Sequence, residues 1–546
     1  MKHLTSRRRT LAGIGAAAAS AALPRFAIAQ ADDRPSITIA VQQNTNTNTL
    51  TPLREQSNVG ARMIYSFLEP LIDAKHQADL SPQPGLATEW RRVDDKTLDL
   101  KIRAGVKFHN GDPMTVEDVL FSFGPEHMFG NPDPKKQSGT MFATQPGAAG
   151  KEAPPEVQAI ARRLWPKLER VEIVDKETVR FINGVPDVTL EGRIGRFGSE
   201  IVSRRSLLEA PDWLTWARRP VGTGPYRIAE FKPDTHLVLE AFDEYWGGRP
   251  PVKQIKFAVV PEVSSRVNGL LSGQYDFACD IPPDQIAVIE KSPRHHVVGG
   301  TITNHRLICF DKNHPQLADA RIRRAMALAI DRKLIVDTLW GGRTAIPRGL
   351  QWEYYGRMFL ADWPQPAYDP DQAAKLIKEA GYKGEPIPFR VLNNYYTNQV
   401  PTAQILTEMW RAVGLNVRIQ MKENWQQIFE RNEPRAVRDW SNSAPFSDPV
   451  SSIVNQHGPS GQQQQVGEWT NPEFNQLSDE LESSTDMDRR RAVFRRMLQI
   501  AEVEDPAFTV LHQNVIFYGK RKTIDWKPSA LQYMDFRARN FRAVST

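Results

Sequence analysis

Apolar positions along this chain recur with two different periods, and the period changes often. Thr97–Ile102 (TLDLKI) alternates polar and apolar side chains, the period-two pattern of a half-buried strand, and a turn-rich Lys107–Pro113 run follows it. Thr115 predicts an N-cap opening a helix toward Phe123. Val179–Ile182 and Arg227–Phe231 predict further strands, and residues 130–156, rich in Pro, Gly, Lys and Gln, predict an exposed loop. In the second half, Ile322, Met326, Ala329 and Ile330 form a helical stripe from Asp319 to Leu339, ended by Gly341-Gly342. Asp369-Pro370 through Ala380-Gly381 places a cap, a first-turn proline and a terminal glycine in helical order. Residues 402–413 predict another helix, Leu415–Met421 an alternating strand, and Asn471-Pro472 a helical region with breaks to about Glu504. The mixture is α/β, without matched repeats.

Charge changes meaning once it is located. The 546 residues carry a net charge of +6. Lys2, Arg7, Arg8, Arg9 and Arg25 stand in residues 1–31 without an acidic residue, so the other 515 residues carry only +1. A nucleic-acid partner is therefore not indicated. A basic start, an apolar stretch from Leu11 to Leu23 and small residues ahead of a polar run have the layout of an export signal. Ser6-Arg7-Arg8-Arg9-Thr10-Leu11 resembles a twin-arginine motif, with Thr10 in place of the usual aromatic. Cleavage after Ala29 or after Ala31 fits equally, and the expected location is the periplasm.

Several chemistries lack their motifs. There is no GxxxxGK[ST], HExxH, CxxC or GxSxG. Gly222-Thr223-Gly224-Pro225 reads as a rigid turn before a strand, and Gly111, Gly222 and Gly224 are expected to supply turn conformations that side chains resist. His295, His296, His305 and His314 read as solvated loop histidines, without the spacing of a metal site. Cys279 and Cys309, the only cysteines, lie in short apolar runs that read as adjacent strands; a disulfide and two buried thiols are both open.

Four blocks, in order, resemble the extracytoplasmic solute-binding proteins of the oligopeptide/dipeptide/nickel class (family 5) that serve ABC importers. They are Gly85–Trp90 with RAGVKFHNGDPMTVEDVLFSF (103–123); Pro220–Tyr226 with Tyr245–Gly248 and LLSGQYDFACDIPP (270–283); IRRAMALAIDRKLIVDTLWGG (322–342); and YDPDQAAKLIKEAGY (368–382). The resemblance implies a two-lobed periplasmic-binding-protein fold (type II, cluster C-like) with an extra inserted domain. The implied division is 1–31 as signal; 32–63, 186–305 and 513–546 as the split domain of lobe 1; 64–185 as its insert; and 306–512 as lobe 2. It implies a monomer, a small-molecule solute, a cognate ABC permease, no cofactor and no catalytic residues.

The resemblance also carries candidate ligand contacts. Asn46, Thr47 and Asn48 precede Leu50-Thr51-Pro52, which resembles a cleft-lining turn. Asn394, Tyr395 and Tyr396 follow a strand. Trp425 resembles a position that packs against ligand, and Arg431, with Asn432 competing for the place, approximates a carboxylate-recognising one. Trp440, Ser441 and Asn442 lie in the stretch where peptide binders commonly place an aspartate three residues after the tryptophan, to pair with the peptide α-ammonium. Here that place is Ser443. An unpaired buried charge is costly, so general peptides are disfavoured and opine-like, sugar-derived or modified-peptide solutes become comparable. The alternatives are a secreted hydrolase acting on peptides or glycans, and a periplasmic chaperone or sensory receptor.

Overall fold

The computed structural model describes residues 32–130, 140–142, 150–393 and 395–543; the leader, most of the loop expected over 130–156, and Asn394 lie outside them. Pro35 onward forms one compact unit, and of the separate unit Met1–Arg34 only residues 32–34 are described.

Ten strands make the main sheet: β1 Ser36–Val41, β2 Tyr226–Lys232, β3 His236–Ala241, β4 Gln254–Val259, β5 Phe277–Ala278, β6 His295–Phe310, β7 Ile387–Leu392, β8 Val417–Lys422, β9 Val437–Ser443 and β10 Phe508–Arg521. Their order is β2-β3-β4-β1-β5-β10-β6-β9-β7-β8. β1 is parallel to β4 and β5, and β7 is parallel to β8 and β9. Between these parallel groups run the two longest strands, β6 (16 residues) and β10 (14 residues), antiparallel to each other. This is the two-lobed α/β fold, with β6 and β10 passing from one lobe to the other. Their ladder breaks in the middle: Thr301 pairs with Val515 and His305 with Gln513, so three residues of β6 face Asn514 alone.

A separate antiparallel sheet pairs Ala87–Arg92, Thr97–Ile102, Thr178–Asn183 and Leu168–Ile173 in that order. One apolar core joins it to the first lobe, gathering Ile39, Phe67, Leu100, Phe181 and Leu190 with Tyr518 and Phe536. A second core is drawn only from residues 307–510 and gathers Leu307, Trp352, Phe446, Leu481 and Phe494. Burying each such side chain is worth about 1.5–3 kcal/mol.

Local chemistry explains where several elements start and stop. Thr115 and Asp118 form a reciprocal capping box, Asp369 accepts from Gln372 N–H, and Asn471 accepts from Phe474 N–H. The helix expected from 319 to 339 is two, Ala320–Leu328 and Arg332–Trp340, because the Asp331 side chain caps a new start by accepting from Leu334 N–H. Gly111 has φ +89°, as a turn requires. Gly222 and Gly224 do not: a Cβ on them would meet the Phe67 backbone at 2.2 and 2.7 Å, so close packing, not turn geometry, selects glycine there.

Two further expectations are corrected. β10 lies between β5, which Cys279 follows, and β6, which bears Cys309, and both cysteines are buried free thiols. None of the four is a solvated loop residue: His295 and His305 are buried within β6, His296 is half-buried in the same strand, and His314 is buried ahead of a short 3-10 turn. His305 stacks on Trp352 at 4.0 Å, and burial depresses its pKa to about 4, so it is neutral.

Candidate functional site

Strand direction locates the cleft. Ala278 of β5 is level, through Gly519, with Val297 of β6, and Ser443 of β9 pairs with Asn304. The parallel strands of both lobes therefore run toward residues 298–304 from opposite sides and deliver their carboxyl ends to one place. Ligands of open α/β sheets sit outside such ends. From the first lobe come Gln42 after β1, Pro261 after β4 and Asp280 after β5; from the second come Tyr395 and Tyr396 after β7, Trp425 after β8, and Ser441 and Ser443 at the end of β9.

These groups meet. The Tyr395 hydroxyl accepts from the backbone N–H of Asn58 at 3.2 Å and is hydrogen-bonded to the Asn46 side chain. Tyr396 donates to Ser441 Oγ at 3.0 Å, and Asn304 Nδ2 donates to Ser443 Oγ at 2.6 Å. Gln532 Nε2 reaches Asn58 Oδ1 at 3.2 Å, and Asn514 donates to Asn304. Trp425 stands edge-on to Trp440 at 4.7 Å and to Tyr395 at 4.9 Å. A cavity of about 240 Å³ opens beside them, lined by Gln42, Arg266, Asp280, Tyr395 and Thr397 among others.

Two charged pairs face the cleft, and Arg266, which also lines the cavity, spends its guanidinium on the carbonyls of Cys279, Val260 and Pro261. Arg62 Nη2 donates to both carboxylate oxygens of Asp280, at 2.7 and 2.9 Å. Burial opposes its charge, yet the Asp280 carboxylate keeps its pKa above the ordinary arginine value. Arg306 is paired with Asp439 and lies over the Tyr396 ring at 3.5 Å. Burial pushes the Asp439 carboxyl upward, against the pull of Arg306. Burial also raises the pKa values of Tyr395 and Tyr396, so both hydroxyls keep their protons. Around these groups the surface is amide, hydroxyl and aromatic, with the carbonyl-held Arg266 guanidinium as a further charge.

Of the residues anticipated from sequence, Asn46, Tyr395, Tyr396, Trp425, Trp440 and Ser441 come together here. Thr47 turns inward: its Oγ1 and N–H, with the N–H of Asn46, bond the buried carboxylate oxygen of Glu55 at 2.8–2.9 Å. Asn48 is exposed with φ 56°. Arg431 is exposed and donates to the Val466 carbonyl at 2.7 Å. Asn442, fully buried, lies on the opposite face of β9 from Ser441, beside His457 at 3.4 Å. Gln42, Asn58, Arg62, Asp280, Asn304 and Gln532 were not anticipated. Asp280 had a legible signal, since it directly follows a short apolar run within one of the four blocks; the others depend on long-range pairing.

The comparisons agree with this architecture. The family model "Bacterial extracellular solute-binding proteins, family 5 Middle" matches residues 81–463. Heme-binding protein A of Haemophilus influenzae is 25% identical over 488 residues, covering 83% of this chain and 82% of the relative. Di/tripeptide-binding protein 2 of Pseudomonas aeruginosa is 25% identical over 489 residues, covering 83% and 85%. A dipeptide-binding protein from Pseudoalteromonas sp. SM9913, crystallised with Met-Leu, superposes with a TM-score of 0.80 at 20% identity, covering 93% of this chain and 100% of that one. Among the described residues no helix is long and apolar enough to cross a membrane.

Proposed function

The chain belongs to the bacterial extracellular solute-binding proteins of family 5, and from that premise we propose that it captures a small polar organic solute without a free α-ammonium between its two lobes and delivers it to the permease of an ABC importer. The lobes divide at 305/306 and 512/513, where β6 and β10 cross, and the protein acts as a monomer in the periplasm, by binding without turnover.

One observation carries the solute class. Ser443, in the place where peptide binders carry an aspartate, is hydrogen-bonded to the neutral Asn304 side chain. Of the acids around the site, Asp280 and Asp439 are engaged by Arg62 and Arg306, and Glu55 is held by Ser57 and by the Asn46–Thr47 loop. Closure over a free ammonium would bury an uncompensated cation, a cost of several kcal/mol. Hydroxyl- and amide-rich solutes, opine-like or sugar-derived, meet the Asn46–Asn58–Ser441–Ser443 surface without that penalty, and Trp425 and Trp440 offer ring faces and edges to their carbon skeletons.

The test is mass spectrometry of small molecules released from protein purified under native conditions. A polar solute without a free α-ammonium is expected. Recovery of ordinary free-amino peptides would overturn the assignment.

A further inference from the structure

The two lobes also meet along a seam away from the cleft. Arg193 lies in the helix Leu190–Ile194, whose Leu190 and Ile194 belong to the first core. Its Nε donates to Asp187 Oδ2 at 2.9 Å and its Nη1 to the Leu164 carbonyl at 3.0 Å, both in its own part of the chain. Its Nη2 crosses to Glu482 Oε1 at 2.6 Å. Glu482 sits on the helix Pro472–Ser483, which enters the 307–510 core through Phe474 and Leu481. The side chains of Arg193, Asp187 and Glu482 are 4%, 3% and 7% exposed. One turn earlier on the same helix, Asp479 accepts from Lys167 Nζ at 2.7 Å. Next to Arg193, a Cβ on Gly192 would lie 2.7 Å from Cγ of Phe446, a member of the second core. Gly192 is helical and does not need glycine for its backbone; it needs it for this contact.

The pairing is asymmetric in a way that suits a contact made and broken repeatedly. When the lobes part, Arg193 keeps Asp187 and Leu164, so no arginine is left buried and uncompensated, while Glu482 passes to water. When they meet, a charge-assisted hydrogen bond forms in a dry site. None of these residues lines the cleft. We propose that Arg193 and Glu482, with Phe446 seated on Gly192, form an interlobe clasp that sets the closed–open equilibrium and thereby tunes solute affinity from outside the binding site. These are positioning residues, and the inference rests on the reading that the lobes close around a solute; apparent affinity then scales with the closed population.

The experiment needs no solute. Val188 and Ser447 line opposite walls of the same seam cavity, of about 370 Å³. Both native cysteines are buried, which leaves Val188→Cys/Ser447→Cys as the reactive pair. The rate of cross-linking by a short bis-maleimide, normalised to the single-cysteine labelling rates, reads the closed population even when it is minor. Glu482→Ala, or isosteric Glu482→Gln should the first fold poorly, is expected to slow cross-linking about tenfold, within the usual range of coupling between distant sites. Gly192→Ala is expected to slow it as well, and adding Phe446→Ala to restore it. Unchanged rates in the Glu482 and Gly192 variants, or no restoration by Phe446→Ala, would overturn the clasp. That result would leave the solute assignment standing, because recovery of the solute is measured separately.

Discussion

His457 offers a sharp test of the electrostatic reasoning. It ends the short helix Ile453–His457, and its ring stacks on Phe508 at 4.3 Å. Gln463 spends its amide N–H groups on the carbonyls of Phe310 and Ala507, so its Oε1 must accept, at 2.6 Å, from Nδ1 of His457. That fixes the proton on Nδ1 and leaves Nε2 facing the Asn442 amide. Burial, against the Gln463 hydrogen bond and helped by Arg438, pushes the histidine pKa to about 3 from an ordinary value of 6.5. The sign follows: below pH 6.5 the unfolded chain takes up a proton that the folded chain refuses until about pH 3. Stability from this residue is thus fully present above 6.5 and is lost as pH falls, by about 1.4 kcal/mol per pH unit. His457→Gln removes the ring and is expected to be less stable at pH 7, but it carries no such proton. The gap between parent and variant, measured by urea unfolding at pH 7, 6 and 5, should narrow by about 2 kcal/mol. A gap independent of pH would refute the assignment of a buried neutral imidazole.

Two other outcomes are expected. Asp439→Asn leaves Arg306 buried without its counter-charge and should lower unfolding stability by about 3–5 kcal/mol in urea titrations; a loss well under that range would mean that Arg306 finds another partner. Trp440→Ala should abolish the thermal shift produced by the solute recovered from native protein, and an unchanged shift would remove Trp440 from the site.

Local elements were legible in the sequence where side chain and backbone agree within a few residues. The strand Thr97–Ile102 and the helix Pro370–Glu379, with its cap, proline and following glycine, needed nothing beyond their own pattern. The division at Asp331 was hidden because Ile330 continues the apolar stripe that Asp331 interrupts. The buried histidines were misread for a related reason: β6 carries His295, His296 and His305 through a sheet whose neighbours, β9 and β10, lie more than a hundred residues away. The candidate site divided along the same line. Tyr395, Trp425 and Ser441 each follow or end a readable strand, whereas Asn58 and Gln532 enter only because distant segments fold onto the crossover. Alternation separated Asn442 from Ser441, and only the partners His457 and Ser452 say which face each takes.

The broken ladder between β6 and β10 bears on more than geometry. The extra residues of β6 are satisfied without β10's backbone: Thr303 N–H donates to the Ala530 carbonyl, Gln513 Nε2 bonds the Ile302 carbonyl at 2.9 Å, and Asn304 pairs with Ser443 of β9. A rotation taken up there leaves intact the pairs on either side, Thr301 with Val515 and His305 with Gln513. The crossover is thus a stretch where β6 can change its backbone angles without breaking a ladder bond to β10.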